Sequence, residues 1–361
     1  MSVIVPVDHR DLNDRERSIL RAIVQLFILH ATPVGSRVVS KYLERTLPLS
    51  PATIRNTMSD LEAMGYITHP HTSAGRMPTD LGYRFYVDSL VDISRVPIHE
   101  SEQVVSDLLS LPRESVMRDA SRILGSLSRH LAMVQLPLLR EALVQRVELI
   151  PLSTERLLVV IALDSDIVRT LTLETNDLIE PGTVEAVSRQ LNERLSGRPL
   201  SSITTMLSEL LAPSSDQTPS LFRLFVEQVG NLVSTQPSGM VHISGAQNLI
   251  TQPEFEAPER LRSVIELVEN EDVIVHLLGT ATEAGRVSIT IGNEFAEAEM
   301  RDYAMIATTY RAGHATGSLG IIGPRRMDYG RMISIVQLMS SVLTRTLGDI
   351  RQLPDDTDVG L

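Results

Sequence analysis

The sequence predicts an α+β fold in which a small N-terminal helical domain ending in a β-hairpin precedes a larger mixed domain. Apolar residues recur at helical spacing in three segments before residue 64, and two short β-rich runs follow them. Beyond residue 94, β-rich runs joined by tight turns alternate with helical segments. A length of 361 residues is enough for two or three domains.

Composition excludes several classes of protein. Hydrophobic residues make up 43% of the chain and charged residues 22%, as in ordinary globular proteins rather than disordered ones. No apolar run reaches the ~18 residues of a membrane-spanning helix, and the N-terminus lacks the features of a secretion signal. The absence of cysteine excludes disulfides, thiolate metal sites and cysteine nucleophiles. We therefore expect a cytoplasmic protein.

Caps and periodicity predict the first two helices. Apolar residues at helical spacing follow the cap residue Asn13 as far as His30, and the segment 32–35 ends this helix. Ser36 is predicted to cap a second, short helix. The inner face of this helix is expected to consist of Val38, Val39, Tyr42 and Leu43.

The third helix has the sharpest pattern. Ser50 is a favoured cap, Pro51 is a favoured first residue, and Gly65 ends the helix. At about 100° per residue, three apolar side chains form a narrow stripe that must pack on the first two helices: Ile54, Met58 and Leu61. The opposite side carries small and polar residues, namely Ala52, Asn56 and Ser59, flanked by Thr53 and Arg55. Such a face can enter the major groove of DNA, where Asn pairs bidentately with adenine and Arg with guanine.

A small hairpin follows the third helix. Residues 65–69 and 76–78 are predicted to be two short strands, joined by a turn over 70–75. Three helices followed by a basic-tipped hairpin are the plan of a winged helix-turn-helix. His69, His71 and Arg76 are then wing residues available to phosphates or to the minor groove. Thr79 is predicted to cap a further helix, which concentrates the scarce aromatic residues of the chain.

The candidate DNA-contacting residues come from the second helix, the third helix with its cap, and the wing. They are Ser36, Arg37, Lys41, Ser50, Ala52, Thr53, Arg55, Asn56, Ser59, His69, His71 and Arg76. The net charge of the chain is −12, but its first 90 residues contain ten basic and nine acidic residues. The acidic excess therefore lies elsewhere, and charge permits DNA binding without arguing for it.

The rest of the chain predicts alternating helices and antiparallel strands. Helices are expected at 101–110, 114–133, 182–195, 201–211, 220–233, 257–270 and 329–348. Strands are expected at 143–152, 156–163 and 168–174, which form an antiparallel meander, and at 240–244, 273–278, 286–291, 305–311 and 319–322.

No catalytic or metal-binding pattern has convincing spacing. Three glycines, Gly317, Gly320 and Gly323, lack the lysine and hydroxyl residue of a P-loop, and tight turns around a strand explain them better. His69 and His71 could form a metal pair, but no third ligand accompanies them. His276 lies in an apolar run and is interpreted as a core residue. We expect no enzymatic activity, no cofactor and no metal.

Two parts of the chain together resemble the heat-inducible transcription repressor family HrcA. The first consists of LNDRERSILRAIVQLFILHATPVGSRVVSKYL and LSPATIRNTMSDLEAMGYITHPHTSAGRMPTDLGYRFYVDSL, and the second of IGNE at 291–294 with GSLGIIGPRRMDY at 317–329. The resemblance implies a GAF-like domain that is interrupted by an inserted dimerisation domain. The expected division is a winged helix over 1–93, a GAF-like domain with linker helices over 94–175 and 251–361, and an insert over 176–250.

The resemblance also implies a function. A homodimer is expected to repress transcription by binding a double-stranded inverted-repeat operator of the CIRCE type, upstream of the dnaK and groE chaperone operons. The chaperonin GroEL is expected to maintain the active repressor, and heat shock to release it from DNA. Two other interpretations stay open. One is a winged-helix regulator whose GAF-like domain senses a small effector, and the other is a scaffold or enzyme that uses the winged helix structurally.

Overall fold

A computed structural model gives the architecture of most of the chain. It describes residues 12–70, 75–93, 95–137, 139–164, 167–175, 181–203, 205–206, 220–234, 241–279 and 286–348. Helices and antiparallel sheets alternate along these residues, so the predicted α+β class is confirmed. None of the helices in these stretches is both long enough and apolar enough to cross a membrane.

The N-terminal domain, here named the head, has the predicted order of three helices, a hairpin and a fourth helix. Its elements are α1 (Asp14–His30), α2 (Ser36–Tyr42), α3 (Pro51–Ala63), β1 (Ile67–Thr68), β2 (Met77–Pro78) and α4 (Asp80–Ser89). The strands β1 and β2 pair antiparallel as the base of the wing. Buried side chains from all three leading helices form the core, among them Ile23, Val39 and Ile54.

Side-chain caps fix where the head helices begin. The Asn13 side chain accepts a hydrogen bond from the Glu16 backbone, and the Glu16 carboxylate accepts one from the Asn13 backbone. This reciprocal pair satisfies two amide groups that the first turn of a helix leaves without partners. Ser50 caps α3 and Thr79 caps α4 with a single bond each, in which the hydroxyl oxygen accepts from the backbone amide three residues further on. Three of the four predicted caps, Asn13, Ser50 and Thr79, are thus confirmed.

The second helix differs from its prediction in two respects. Gly35 occupies the cap position, and Ser36 is the first helical residue. Val39 and Leu43 are buried as expected, but Val38 and Tyr42 are about half exposed, at 49% and 50%. The reason is geometric, because a helix of 7 residues presents one narrow row to the core and turns the neighbouring row outward. Tyr42 instead donates a hydrogen bond to the side chain of Gln25 on α1.

Two close backbone approaches shape the wing. Val34 and Arg76 exchange backbone hydrogen bonds of 2.8 and 2.9 Å, so the loop before α2 forms an additional edge of the hairpin. A Cβ atom on Gly75 would lie 2.7 Å from the Pro33 backbone, and a Cβ atom on Gly82 would lie 2.1 Å from the Tyr66 carbonyl oxygen. Only glycine allows these contacts: the one at Gly75 brings the wing against the loop before α2, and the one at Gly82 holds α4 against the wing.

The larger domain begins with α5 and ends with a long helix, α12. Its helices are α5 (Ile98–Leu109), α6 (Arg113–Ser128), α7 (Pro181–Leu195), α8 (Ser220–Ser234), α9 (Ala246–Ile250), α10 (Pro258–Glu269), α11 (Glu271–Gly279) and α12 (Tyr329–Leu347). Its strands are β3 (Leu131–Gln135), β4 (Val144–Pro151), β5 (Arg156–Leu163), β6 (Val168–Glu174), β7 (Val241–Ser244), β8 (Ser288–Ile291), β9 (Tyr303–Ala312) and β10 (Ala315–Pro324). Single 3₁₀ turns lie at Leu139–Glu141, Pro253–Phe255, Gly292–Glu294 and Ala298–Met300.

A five-stranded antiparallel sheet lies at the centre of this domain, in the order β7-β3-β10-β9-β8. Helices cover both of its faces. One face packs on α6 and α12, through residues such as Val134 and Ile306, and this core is continuous with the core of the head. The other face packs on the helices α9 to α11, through residues such as Met133 and Met305. Every residue of β3 is buried as a result.

A second unit is inserted in the chain between β3 and β7, two strands that are neighbours in this sheet. The chain leaves after β3, forms the meander β4-β5-β6 and the helices α7 and α8, and returns as β7 beside β3. The meander and the two helices share a separate hydrophobic core, which includes Val159 and Phe225. The division at residue 176 that the sequence suggests would cut this core, because it assigns the meander and its covering helices to different domains.

A buried carboxylate joins this second unit to the central sheet. Asp164 follows β5 and accepts hydrogen bonds from the backbone amides of Leu143, at 2.9 Å, and His314, at 2.7 Å. The His314 ring nitrogen Nδ1 lies 2.8 Å from the same carboxylate. Since His314 lies in the turn between β9 and β10, this contact holds the hairpin of the central sheet against the second unit.

Two predicted elements of the larger domain are wrong. The helix predicted over 114–133 ends at Ser128, because Arg129 adopts a left-handed φ of 57° and Leu131 begins β3. The run 273–278 is helical in α11 rather than a strand, and its apolar residues reach the core at helical spacing. His276 therefore points outward, with 68% of its side chain exposed, and is not a core residue. The helix predicted over 201–211 lies largely outside the described residues.

The three glycines that were expected at tight turns lie inside β10 instead. A Cβ atom on Gly317 would lie 2.3 Å from the Tyr310 ring, and one on Gly320 would lie 2.8 Å from the Ile306 carbonyl oxygen. A Cβ atom on Gly323 would approach His130 Nδ1 to 2.7 Å. These glycines make room for neighbouring residues across the sheet, and they do not form a phosphate-binding loop.

Replacing Gly82 by Ala tests the close packing of α4 against the wing. The new methyl group would overlap the Tyr66 carbonyl oxygen, so the free energy of unfolding should fall by about 1–3 kcal/mol. Urea unfolding measures the change. Gly182→Ala is the control, because Gly182 also lies in the first turn of a helix but has open space around its Cβ position. Equal stability of the two variants would show that the approach at Gly82 imposes no constraint.

Candidate nucleic-acid interface

The third helix of the head presents one buried face and one exposed face. Ile54 and Leu61 are fully buried against α1 and α2, and Met58 is 4% exposed. The opposite face is exposed at Ala52, Arg55, Asn56 and Ser59, as the periodicity predicted. Ala52 and Ser59 are small, so nothing on the helix surface blocks the approach of a base pair to Arg55 or Asn56. The arrangement suits insertion of α3 into a major groove.

Three hydroxyl residues near this face bond within the helix itself. The Ser50 hydroxyl accepts from the Thr53 backbone amide at 3.1 Å and lies 2.9 Å from the Thr53 hydroxyl. The Ser59 hydroxyl donates to the Arg55 carbonyl oxygen at 3.1 Å. The bonds between Ser50 and Thr53 cap the first turn of α3, so both residues have a structural role at the start of the helix. Arg55 and Asn56 remain the side chains best suited to reading bases.

The second helix adds two exposed cations. Arg37 and Lys41 are four residues apart, which places them on one side of α2. Both line an open groove together with Pro48 and Leu49, which lie just before α3 begins. Ser36, the first residue of α2, is only half exposed. Positive charge beside the amino end of α3 suits contacts with the phosphates that flank a major groove.

The wing cations share an acidic partner on α3. Arg76 Nη2 lies 2.8 Å from a Glu62 carboxylate oxygen, and His69 Nδ1 contacts the other oxygen. Burial raises the pKa of Glu62, but the hydrogen bond to His69 and the charge of Arg76 lower it by more. His69 and Arg76 therefore hold the base of the wing against α3. His71 lies outside the described residues.

Metal binding has no support among the residues that the structure describes. No three histidine, aspartate or glutamate side chains in those stretches come together in a way that could hold an ion. His69 is bonded to Glu62, and its suggested companion His71 is outside the described residues.

The head is attached to the larger domain by charged groups of α4. Asp80 accepts hydrogen bonds from Arg325 at 2.6 Å and from the backbone and side chain of Asn293 at 3.0 and 2.8 Å. Arg84 donates through two nitrogens to the Glu294 carboxylate and also to the Ile289 carbonyl oxygen at 2.7 Å. We name the set Asp80, Arg84, Asn293, Glu294 and Arg325 the head clamp.

Further groups line the same junction. Arg326 donates to the Ile28 carbonyl oxygen at the end of α1, at 2.8 Å, and pairs with Glu254. The rings of Tyr83 and Tyr329 lie with their centroids 6.0 Å apart. Two buried polar atoms here have no hydrogen-bond partner among the described residues, the Tyr83 hydroxyl and His130 Nδ1. The junction therefore adds polar contacts to the continuous apolar core, and part of its buried polar surface has no partner among the described residues.

Sequence reasoning assigned the head clamp no role. The IGNE and GPRR stretches marked the family resemblance, yet neither was connected with α4. The signal was a charged, glycine-containing turn between the strands β8 and β9, where loops position polar groups for a partner.

Two protein-family models match this chain, one over the head and one over the larger domain. The family model for the winged helix-turn-helix transcription repressor HrcA DNA-binding domain matches residues 11–88. The family model for the HrcA protein C-terminal domain matches residues 114–333. The chain belongs to the HrcA family. This family consists of transcription repressors and is not a class of enzymes.

Proteins named as HrcA repressors are similar to this chain over nearly their full length. The heat-inducible transcription repressor HrcA of Chlorobium luteolum is 39% identical over 356 residues, which cover 94% of this chain and 99% of that protein. The HrcA of Desulforamulus reducens is 33% identical, with 94% and 98% covered. A crystal structure described as a hypothetical protein at 2.2 Å resolution is 27% identical, with a TM-score of 0.55 and with 93% and 100% covered. The whole chain is thus similar to HrcA repressors, and the winged helix is not an isolated module.

The buried His130 at the junction predicts a pH-dependent stability. Burial lowers its pKa to about 4, and the nearby Arg326 charge acts in the same direction while Glu254 opposes it. Between pH 6.5 and about 4 the unfolded chain binds a proton that the folded chain does not, so stability falls as the pH falls. We expect His130→Phe to remove about 2 kcal/mol of the loss between pH 7 and pH 5.

Urea unfolding at the two pH values measures this difference. His99→Phe serves as the control, since His99 is an exposed histidine on α5 and should leave the pH dependence unchanged. If the free energy of unfolding changed with pH equally in the parent and in His130→Phe, the loss of stability at low pH would not come from His130.

Proposed function

We propose that this HrcA-family protein is a homodimeric repressor that binds an inverted-repeat operator of the CIRCE type upstream of chaperone operons. The exposed face of α3 carries this proposal: Arg55 and Asn56 project between the small residues Ala52 and Ser59, while the other face is anchored in the head core. Arginine and asparagine can each make two hydrogen bonds to one base, which gives sequence discrimination. Arg37 and Lys41 would contact flanking phosphates. The protein would act in the cytoplasm, where it has access to the chromosome.

Two copies of the chain would present two α3 helices to the two halves of the operator. A two-fold axis in the dimer would match the symmetry of the inverted repeat. We assign dimerisation to the unit inserted between β3 and β7, and we assign the central sheet with its covering helices to the GAF-like domain. Support comes from the open face of the meander β4-β5-β6, where Ile150 and Val168 are 42% and 53% exposed. Ile150 pairs with Leu158 and Val168 with Ala162, which places both on the face of the meander opposite to its core, and exposed apolar side chains on such a face suit a protein contact.

Substitutions on α3 test base reading. Asn56→Ala and Arg55→Ala should each weaken binding to an inverted-repeat probe by about 1–3 kcal/mol and reduce discrimination against altered bases. Gel-shift titration at fixed salt measures both effects. Arg122→Ala is the control, because it removes an exposed arginine of α6 outside the head. Parental affinity in both α3 variants would show that this face does not read the operator.

Regulation by the chaperonin GroEL is tested with the same probe. Adding GroEL and ATP to the purified repressor should raise the fraction of molecules that bind operator, and GroEL without ATP is the control. An unchanged active fraction would remove the chaperonin from the mechanism and leave repression intact.

A further inference from the structure

We propose that the head clamp fixes the direction of α3 relative to the larger domain and thereby sets the half-site spacing that the repressor accepts. The inference rests on the proposed function, because spacing has meaning only for a dimer on an inverted repeat. Its residues are positioning residues, since none of them lies on the exposed face of α3.

The connection between the two domains makes such a clamp necessary. After α4 ends at Ser89, the described residues of the segment up to Pro97 form neither helix nor strand. A single irregular segment cannot hold a domain at a fixed angle. The position of the head therefore depends on noncovalent contacts with the larger domain, and the head clamp supplies the charged ones made by α4.

The clamp has the geometry of a specific docking site. Arg84 and Glu294 form a bidentate ion pair, in which two guanidinium nitrogens donate to the two carboxylate oxygens. This geometry fixes the orientation of the two side chains as well as their distance. The Arg84 and Asp80 side chains are only 19% and 15% exposed. Gly292 adopts a φ of +53°, and a Cβ atom there would lie 2.3 Å from the Asp80 carboxylate. The 292–294 turn is thus shaped to receive the first turn of α4.

Docking leaves the DNA-contacting face open. Arg55 and Asn56 are exposed while the clamp is closed, so the clamp orients α3 and does not mask it. A head that reads one half-site needs no fixed orientation relative to the rest of the chain. Two heads that read two half-sites do, because their separation must match the helical repeat of DNA. Fixing them beforehand avoids the entropy cost of ordering them on binding.

The test variant is Arg84→Met combined with Arg325→Met, which removes both guanidinium groups of the clamp and keeps apolar stems. Affinity for the full operator should fall about tenfold or more, whereas affinity for a single half-site should stay within about twofold. Inserting about 5 bp, half a helical turn, between the half-sites should strongly weaken the parent and have much less effect on the variant. Arg118→Met with Arg122→Met, two exposed arginines of α6, is the matched control and should behave as the parent.

A second measurement follows the head without DNA. Because the chain has no cysteine, cysteines introduced at Ala63 on α3 and at Arg122 on α6 give two unique positions for spin labels. The distance distribution should be narrow with the clamp intact and broad in the double-methionine variant. Retained half-site binding and circular dichroism verify that the variant folds.

Two results would overturn the proposal: an unchanged distance distribution, or an unchanged spacing preference in a variant that binds half-sites normally. If the parent prefers no inverted repeat, the proposed function fails, and the distance distribution alone decides whether the clamp holds the head.

Discussion

Burial of the central sheet on both faces is the constraint on which the rest of the structure depends. The central strands β3 and β10 can lie in apolar surroundings only when helices cover both sides, which requires α6 and α12 on one face and the helices α9 to α11 on the other. The first of these layers also receives the head, since its core continues into that of the winged helix. The position of α3 is therefore linked to the packing of the sheet.

The junction between the head and the sheet layer is mixed in character. Apolar packing is continuous across it, but its orienting contacts are ion pairs. The Tyr83 hydroxyl and His130 Nδ1 are buried with no hydrogen-bond partner among the residues that the structure describes. A buried polar atom without a partner costs about 1–3 kcal/mol relative to one that water can reach. Exposure to water on separation would recover part of this cost. The unsatisfied polar atoms thus offset part of the stabilisation that the ion pairs give to the docked head.

Local signals made much of the fold predictable from the sequence. Caps at Asn13, Ser50 and Thr79 and the apolar stripe of α3 act within a few residues, so the head and its exposed face followed from them. An apolar run such as 131–135 or 273–278 suits a strand or a helix equally well, and only tertiary packing decides between them. The limits of the inserted unit depend on which core each element joins. Folding alone brings Arg84 and Arg76 close to their partners, so the charged turn at 292–294 indicates polar groups positioned for a partner but not that α4 is that partner.

The chain order of the clamp has a consequence for synthesis in the cell. Domains generally fold as they leave the ribosome, beginning at the N-terminus, so the head can form early. The groups of the larger domain that contact α4 lie at 289–294 and 325. The strand β3 of the central sheet is also incomplete until its partners β7 and β10 have been synthesised. A nascent chain would therefore carry a folded head, with α3 already formed, that is not yet docked on the larger domain. The helix α3 can therefore be held in its final direction only after translation has passed residue 325.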